Sequence, residues 1–100
     1  MTKEEVMQSA FEIISYAGDA MNEYYGAVID YKHHDIESAK KKLEEGNVFL
    51  NKTHLIQTKL IQSEVNDEPI PYSLIMTHAQ DHLTGAINWQ RMVNLLLNED

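Results

Sequence analysis

His78, Asp81 and His82 fall in one short stretch, Met76-Thr77-His78-Ala79-Gln80-Asp81-His82-Leu83. On a helix, His78 and His82 stand one turn apart on a shared face, with Asp81 one step from His78. Imidazoles at this i, i+4 spacing occur in zinc sites. The same pair could act in catalysis, or simply pack. No Glu-x-x-His and no His-Glu-x-x-His occurs in the chain, which speaks against a di-iron bundle and a metalloprotease. There is no cysteine, so a thiolate metal site, a cysteine nucleophile and a disulfide framework are excluded. No serine or cysteine triad motif is present. His33 and His34 fall in an expected turn and His54 beside an apolar stripe, so all three read as structural.

A chain of 100 residues has the length of a single domain, taken as residues 1–100. Its 43% apolar and 24% charged residues are ordinary for a globular protein. Only four glycines and two prolines are present, too few for a turn-rich sandwich or barrel. The net charge of −8 excludes an ordinary nucleic-acid module, which needs a stripe of unpaired cations. The densest basic cluster, Lys40-Lys41-Lys42, is flanked by Glu37, Glu44 and Glu45. Helical spacing pairs Glu37 with Lys41, Lys40 with Glu44 and Lys41 with Glu45. No apolar run is long enough to span a membrane, and the N-terminal Met-Thr-Lys-Glu-Glu does not read as a signal peptide. The absence of cysteine fits a reducing cytoplasm.

Three helical segments carry these residues. Thr2 and Glu5 form a capping-box pattern. Behind it Val6, Ala10, Ile13, Ile14, Ala17, Met21, Tyr24, Tyr25 and Val28 trace one stripe on a first helix over about residues 3–31. Gly18 within that helix implies close packing. Tyr16, Tyr24, Tyr25 and Tyr31 read as core or interface aromatics. Asp35 is the expected N-cap of a second helix, with a stripe of Ile36, Ala39, Leu43, Gly46, Leu50, Thr53, Gln57 and Leu60. Residues 64–71 contain Pro69 and Pro71 and read as a loop, with Pro71 placed in the first turn of a third helix running to about residue 97. The expected fold is all-α: an antiparallel, up-down-up three-helix bundle.

The third helix is too apolar for that role alone. With His78 at zero on a helical wheel, apolar residues from Leu74 and Met92 round to Met76 cover an arc of about 200°, where a surface helix needs about 100°. The excess must be covered by something outside one chain, and self-association is the natural outlet. Asp81 lies at the edge of this face. A carboxylate there is costly unless paired or metal-bound, and in a cyclic oligomer its copies could meet at the axis around a cation.

The stretch from Met76 to Leu83 resembles the active-site signature of the enzyme IIA component of the lactose/cellobiose (N,N'-diacetylchitobiose) family of the bacterial sugar phosphotransferase system. Phe11-Glu12-Ile13-Ile14-Ser15-Tyr16-Ala17-Gly18-Asp19-Ala20 resembles that family's first-helix signature. Asn47 to Gln57, ending in Thr53-His54-Leu55-Ile56-Gln57-Thr58, resembles its second helix, and Pro71-Tyr72-Ser73 the lead into its third. The resemblance covers nearly the whole chain in order. It implies a homotrimer of three-helix bundles in which His78 is phosphorylated and Asp81 of each subunit binds a divalent cation, Mg2+ being the choice, near the threefold axis. It implies a cytoplasmic phosphocarrier that takes its phosphoryl group from HPr and passes it to the cognate enzyme IIB, meeting the membrane only indirectly through the enzyme IIC transporter. A free imidazole lone pair can attack phosphorus, and the resulting phosphoramidate keeps a high transfer potential. His82 and Gln80 belong to the matched motif as supporting residues. His82 shares a face with His78, whereas Gln80 points away from it. Thr84 stands where the family usually has methionine, and Met21 where arginine is frequent. A helical metal-binding or regulatory module without phosphoryl transfer is the alternative that the third helix alone leaves open.

Overall fold

A computed structural model describes residues 1–98. Three helices make up the described fold: α1 (Lys3–Lys32), α2 (Ile36–Val65) and α3 (Leu74–Leu97). They form a rod of 49 × 23 × 16 Å, the long dimension set by helices of 30 residues at about 1.5 Å per residue.

Each helix begins where a short polar side chain can accept the orphan N–H groups of its first turn. The Thr2 hydroxyl accepts from the Glu5 backbone N–H, and Glu5 Oε1 accepts from the Thr2 N–H, closing the expected capping box. The Asp35 carboxylate accepts from the Ser38 N–H. The third start differs from the sequence expectation. Pro71 lies before α3, not in its first turn. Ser73 is extended, and its hydroxyl accepts from the Met76 N–H, so the helix begins at Leu74.

The first two helices end in the same way. Lys32 closes α1, His33 is its C-cap and His34 takes the left-handed conformation, φ 63°. Asp35 N–H then donates back to the Asp30 carbonyl at 2.9 Å, and His34 N–H to Tyr31. At the end of α2, Asp67 adopts φ 59°, with Glu68 N–H donating to Ser63 and Asp67 N–H to Glu64. Both are Schellman closures made without glycine. They confine the α1–α2 connection to residues 33–35, and His33 and His34 are used in building it.

The core runs between the helices. Val6, Ala10, Ile13, Ala17, Ala20, Tyr24 and Ala27 of α1 are fully buried, against Ala39, Leu43, Leu50 and Leu60 of α2 and Ala79, Leu83, Ala86 and Val93 of α3. Tyr24 ties all three together. Its hydroxyl donates to Asn47 Oδ1 at 2.7 Å, and Gln90 Nε2 donates to the same oxygen at 2.8 Å. Gly46 makes room for the Tyr24 ring, because a Cβ there would stand 2.4 Å from a ring carbon. Burial pushes the Tyr24 phenol up to about 12.

Two expectations about packing are corrected. Gly18 does not serve close packing within the chain, since a Cβ at that position would meet nothing within 4 Å. Nor do Lys40 and Lys41 pair with Glu37, Glu44 or Glu45. The ion pair among the described residues is Lys42 Nζ to Asp30 Oδ2, 2.9 Å, reaching from α2 to α1. Long surface side chains gain too little from a solvated partner to be held in one geometry. Lys42 is placed by its stem, which lies against Gly26.

Candidate functional site

α3 presents its buried side through Ala79, Leu83, Ala86 and Val93, and this fixes where every other side chain of the helix points. Ala79 and Leu83 turned inward leave His78 and His82 side by side on the outer flank next to α1. Their Nε2 atoms are 3.1 Å apart. The rings meet edge to face, with centroids 4.6 Å apart and planes at 85°. A contact of this kind needs one proton between the two nitrogens, so one ring donates N–H to the other's lone pair. His78 is exposed and His82 half-buried. The structure thus places His82 beside His78 on one face, as the helical spacing predicts.

Asp81 is exposed on the same flank. It forms no ion pair among the described residues, and no group of three or more metal-ligating side chains gathers there. Gln80 is not brought to His78. It is half-buried on the other flank, where its Nε2 contacts Met76 Sδ at 3.2 Å. There it lines a cleft of about 220 Å³ between α2 and α3, with Gln57, Leu60, Ile61, Glu64, Ile70 and Met76. Gln57 Oε1 is buried in the described structure without a hydrogen-bond partner. The sequence pattern places Gln57 on the buried stripe but assigns it no role. A glutamine in a stripe of leucines was the available signal.

The flank that carries the histidines is apolar and open. Met7, Phe11, Tyr25 and Ile29 of α1 and Leu74 and Met92 of α3 are all exposed along it. Tyr25 meets Trp89 edge to face, with ring centroids 6.1 Å apart. At Gly18 an added Cβ would meet nothing within 4 Å. Of the acids and bases between residues 7–29 and 74–96, Glu12, Asp19, Glu23 and Arg91 project elsewhere by helical position, and Asp81 alone faces this side. A surface with one charge and this much exposed hydrocarbon, on a chain that is 24% charged, has the composition of an interface.

His33 and His34 lie in the α1–α2 turn, and His54 is exposed on α2, so none joins the His78–His82 pair. Elsewhere, burial and a hydrogen bond with Glu45 raise the carboxyl of Glu23. Asp30 is held below its usual range by the Ser38 hydroxyl, 2.6 Å away, and by Lys42. These groups lie towards the α1–α2 turn and serve the packing of those helices.

The comparisons with known proteins agree with one another. The family described as "PTS system, Lactose/Cellobiose specific IIA subunit" matches residues 8–98. The lactose-specific EIIA component of Staphylococcus aureus (strain N315) is 36% identical over 97 residues, covering 97% of this chain and 94% of that protein. The lichenan-specific phosphotransferase enzyme IIA component of Bacillus subtilis (strain 168) is 39% identical over 89 residues, covering 89% and 81%. Among solved structures, PtcA from S. mutans superposes with a TM-score of 0.95 at 34% identity, covering 98% of this chain and 96% of that one. The PTS cellobiose-specific enzyme IIA from Bacillus anthracis gives 0.89 at 30% identity, covering 98% and 88%. With the three-helix fold and the His78–Leu83 segment described above, these matches establish that the chain belongs to the lactose/cellobiose-specific enzyme IIA family of the phosphotransferase system.

Proposed function

We propose that this chain is a histidine phosphocarrier: His78 accepts a phosphoryl group from phospho-HPr and donates it to the cognate enzyme IIB during uptake of a lactose-, cellobiose- or chitobiose-type disaccharide. The observation that carries the reading is the exposed His78 imidazole, with His82 Nε2 3.1 Å from its own Nε2, in a member of this family. The substrate class rests on the names of the relatives, which specify lactose, lichenan and N,N'-diacetylchitobiose.

The chemistry asks little of the protein beyond positioning. A lone pair on His78 forms the new N–P bond as the donor's N–P bond breaks, and the donor imidazole leaves with that electron pair. The step reverses in form when enzyme IIB attacks the phosphorus and His78 becomes the leaving group. With the shared proton on His82 Nε2, that N–H is placed to donate to a phosphoryl oxygen once the group is attached, so His82 orients and stabilises rather than attacks. Gln80 opens on the opposite flank. Its supporting part is therefore open to it only across a contact between copies.

The whole chain is read as one domain, and the bundle as up-down-up and antiparallel. The short α1–α2 connection supports this, as do the Gln90–Asn47 hydrogen bond and the cleft that Gln57 of α2 and Gln80 of α3 both line. The exposed α1–α3 flank supports assembly of three such bundles into a homotrimer. Asp81, the one charged residue on that flank, would then bring three carboxylates together. Such an oxygen-donor set suits a hard divalent cation such as Mg2+, which would neutralise the cluster there. HPr and enzyme IIB dock transiently, and the chain works at the cytoplasmic side, meeting the membrane through enzyme IIC.

The test is phosphorus NMR of the full chain incubated with phosphoenolpyruvate, enzyme I and HPr. A phosphoramidate signal that discharges when enzyme IIB is added supports the reading. A resonance of a phosphate ester, or one that persists with active enzyme IIB, contradicts it.

A further inference from the structure

We propose that His78 and His82 also form a two-nitrogen clamp for a transition-metal dication, Zn2+ foremost, and that an ion seated there withholds His78 from phosphoryl transfer. The clamp stands on the geometry of the two rings, and only its blocking effect rests on the phosphocarrier reading.

The two Nε2 atoms converge at 3.1 Å. A tetrahedral zinc ion with Zn–N bonds of about 2.0–2.1 Å holds two nitrogens about 3.3–3.4 Å apart. The resting pair is thus within a few tenths of an ångström of the bite, and rotation about the side-chain torsions of the two rings, which now stand edge to face at 85°, would turn both Nε2 atoms to one ion. No backbone change is needed, because Ala79 and Leu83, buried on the inner side of the same turns, fix the direction of both side chains. The ion would replace the shared proton. That proton moves to Nδ1 of the donor ring, and both Nε2 lone pairs turn to the metal. With both rings neutral, no net proton is released.

The donor set decides the ligand class. Two imidazole nitrogens favour Zn2+, Cu2+ or Ni2+, while Mg2+ and Ca2+ prefer oxygen. No third ligating side chain joins the pair among the described residues, and His78 is exposed, so water completes the coordination. An open site of this kind exchanges its ion, as a regulatory site must. A net charge of −8 raises the local concentration of dications. The consequence for the proposed reaction is direct: a lone pair engaged with the metal cannot form the N–P bond.

The experiment is calorimetric titration of the full, metal-free chain with ZnCl2 in excess Mg2+. Expected is one zinc per chain, with affinity reduced at least about 10-fold in His78→Ala and in His82→Ala, since losing a ligand costs no less than losing its supporting shell. His54→Ala and His34→Ala should bind as the parent does. Zinc binding that survives His82→Ala undiminished, or that disappears with Asp81→Asn, overturns the clamp. The blocking effect is read in a single turnover with HPr phosphorylated in advance and freed of enzyme I. Saturating zinc should slow acceptance at least about 10-fold, and a chelator should restore it. Unchanged acceptance in zinc overturns the block. A chain that accepts no phosphate without zinc refutes the phosphocarrier reading, while the zinc isotherms still decide for or against the clamp.

Discussion

Gly46→Ala tests the packing that sets the distance between α1 and α2. Alanine is the better helix former, by about 1 kcal/mol in an exposed helix interior, so propensity alone predicts stabilisation. The structure predicts the opposite. The new Cβ would stand 2.4 Å and 2.8 Å from two carbons of the Tyr24 ring and 3.0 Å from a third. That ring cannot swing away freely, being fully buried and anchored through its hydroxyl to Asn47 at 2.7 Å. Either the helices separate, at about 1–3 kcal/mol for overpacking, or the ring shifts and the hydrogen bond, worth about 0.5–1.5 kcal/mol, weakens as well. Set against a propensity gain of about 1 kcal/mol, the net loss is up to about 2 kcal/mol by the first route and about 0.5–3.5 kcal/mol by the second, at about 4–8 °C in Tm per kcal/mol for a chain of this size. Thermal unfolding followed by circular dichroism measures it, at one fixed chain concentration because assembly also shifts Tm. Gly18→Ala is the matched control. It meets nothing within 4 Å, so at dilutions where the chain is unassociated it should gain up to about 1 kcal/mol. A Gly46→Ala variant that melts at or above the parent would refute the account of Tyr24 as a spacer.

Glu23→Gln should raise Tm at pH 7 and flatten the pH dependence above pH 4.5. The folded-state pKa of Glu23 is raised, chiefly by burial, so the native chain holds this proton more tightly than the unfolded chain and loses stability as pH climbs from 4.5 through that folded value; a variant no more stable than the parent at pH 7 contradicts this. Tyr24→Phe should remove the alkaline loss of stability between pH 10 and about 12, because the buried phenol keeps its proton to about 12 while the unfolded one titrates near 10; an unaltered alkaline profile in urea titrations counts against it. Asp81→Leu should keep or strengthen self-association while abolishing any axial cation, because clustered carboxylates give way to apolar contact; sedimentation of the variant as single chains would refute the proposed role of that flank.

The helix starts were legible wherever a capping side chain and an apolar stripe coincide, as at Thr2 and Asp35. The start of α3 was misplaced because Pro71 and Ser73 both suit a first turn. The choice depends on the extended conformation of Ser73, which spacing does not reveal. Gly18 and Gly46 look alike in sequence, both being glycines inside helices. Only the position of the Tyr24 ring separates the one that is crowded from the one that is open. Tyr24 and Tyr25 are likewise adjacent, yet one is fully buried and the other 58% exposed. At the site, the wheel correctly set His82 beside His78 and turned Gln80 away. The edge-to-face contact of the rings, and the orphaned Gln57 carbonyl across the bundle, depend on side-chain torsions and on the packing of α2 against α3, which periodicity does not encode.

The most direct test of the central proposal is the intact mass of the chain after incubation with phosphoenolpyruvate, enzyme I and HPr. The account predicts a gain of one phosphoryl group per chain, lost on brief acid treatment and absent in His78→Gln, a variant that stays folded because His78 is exposed. A His78→Gln chain that gains the same mass, or a parent chain that gains none beside active partner proteins, would contradict it.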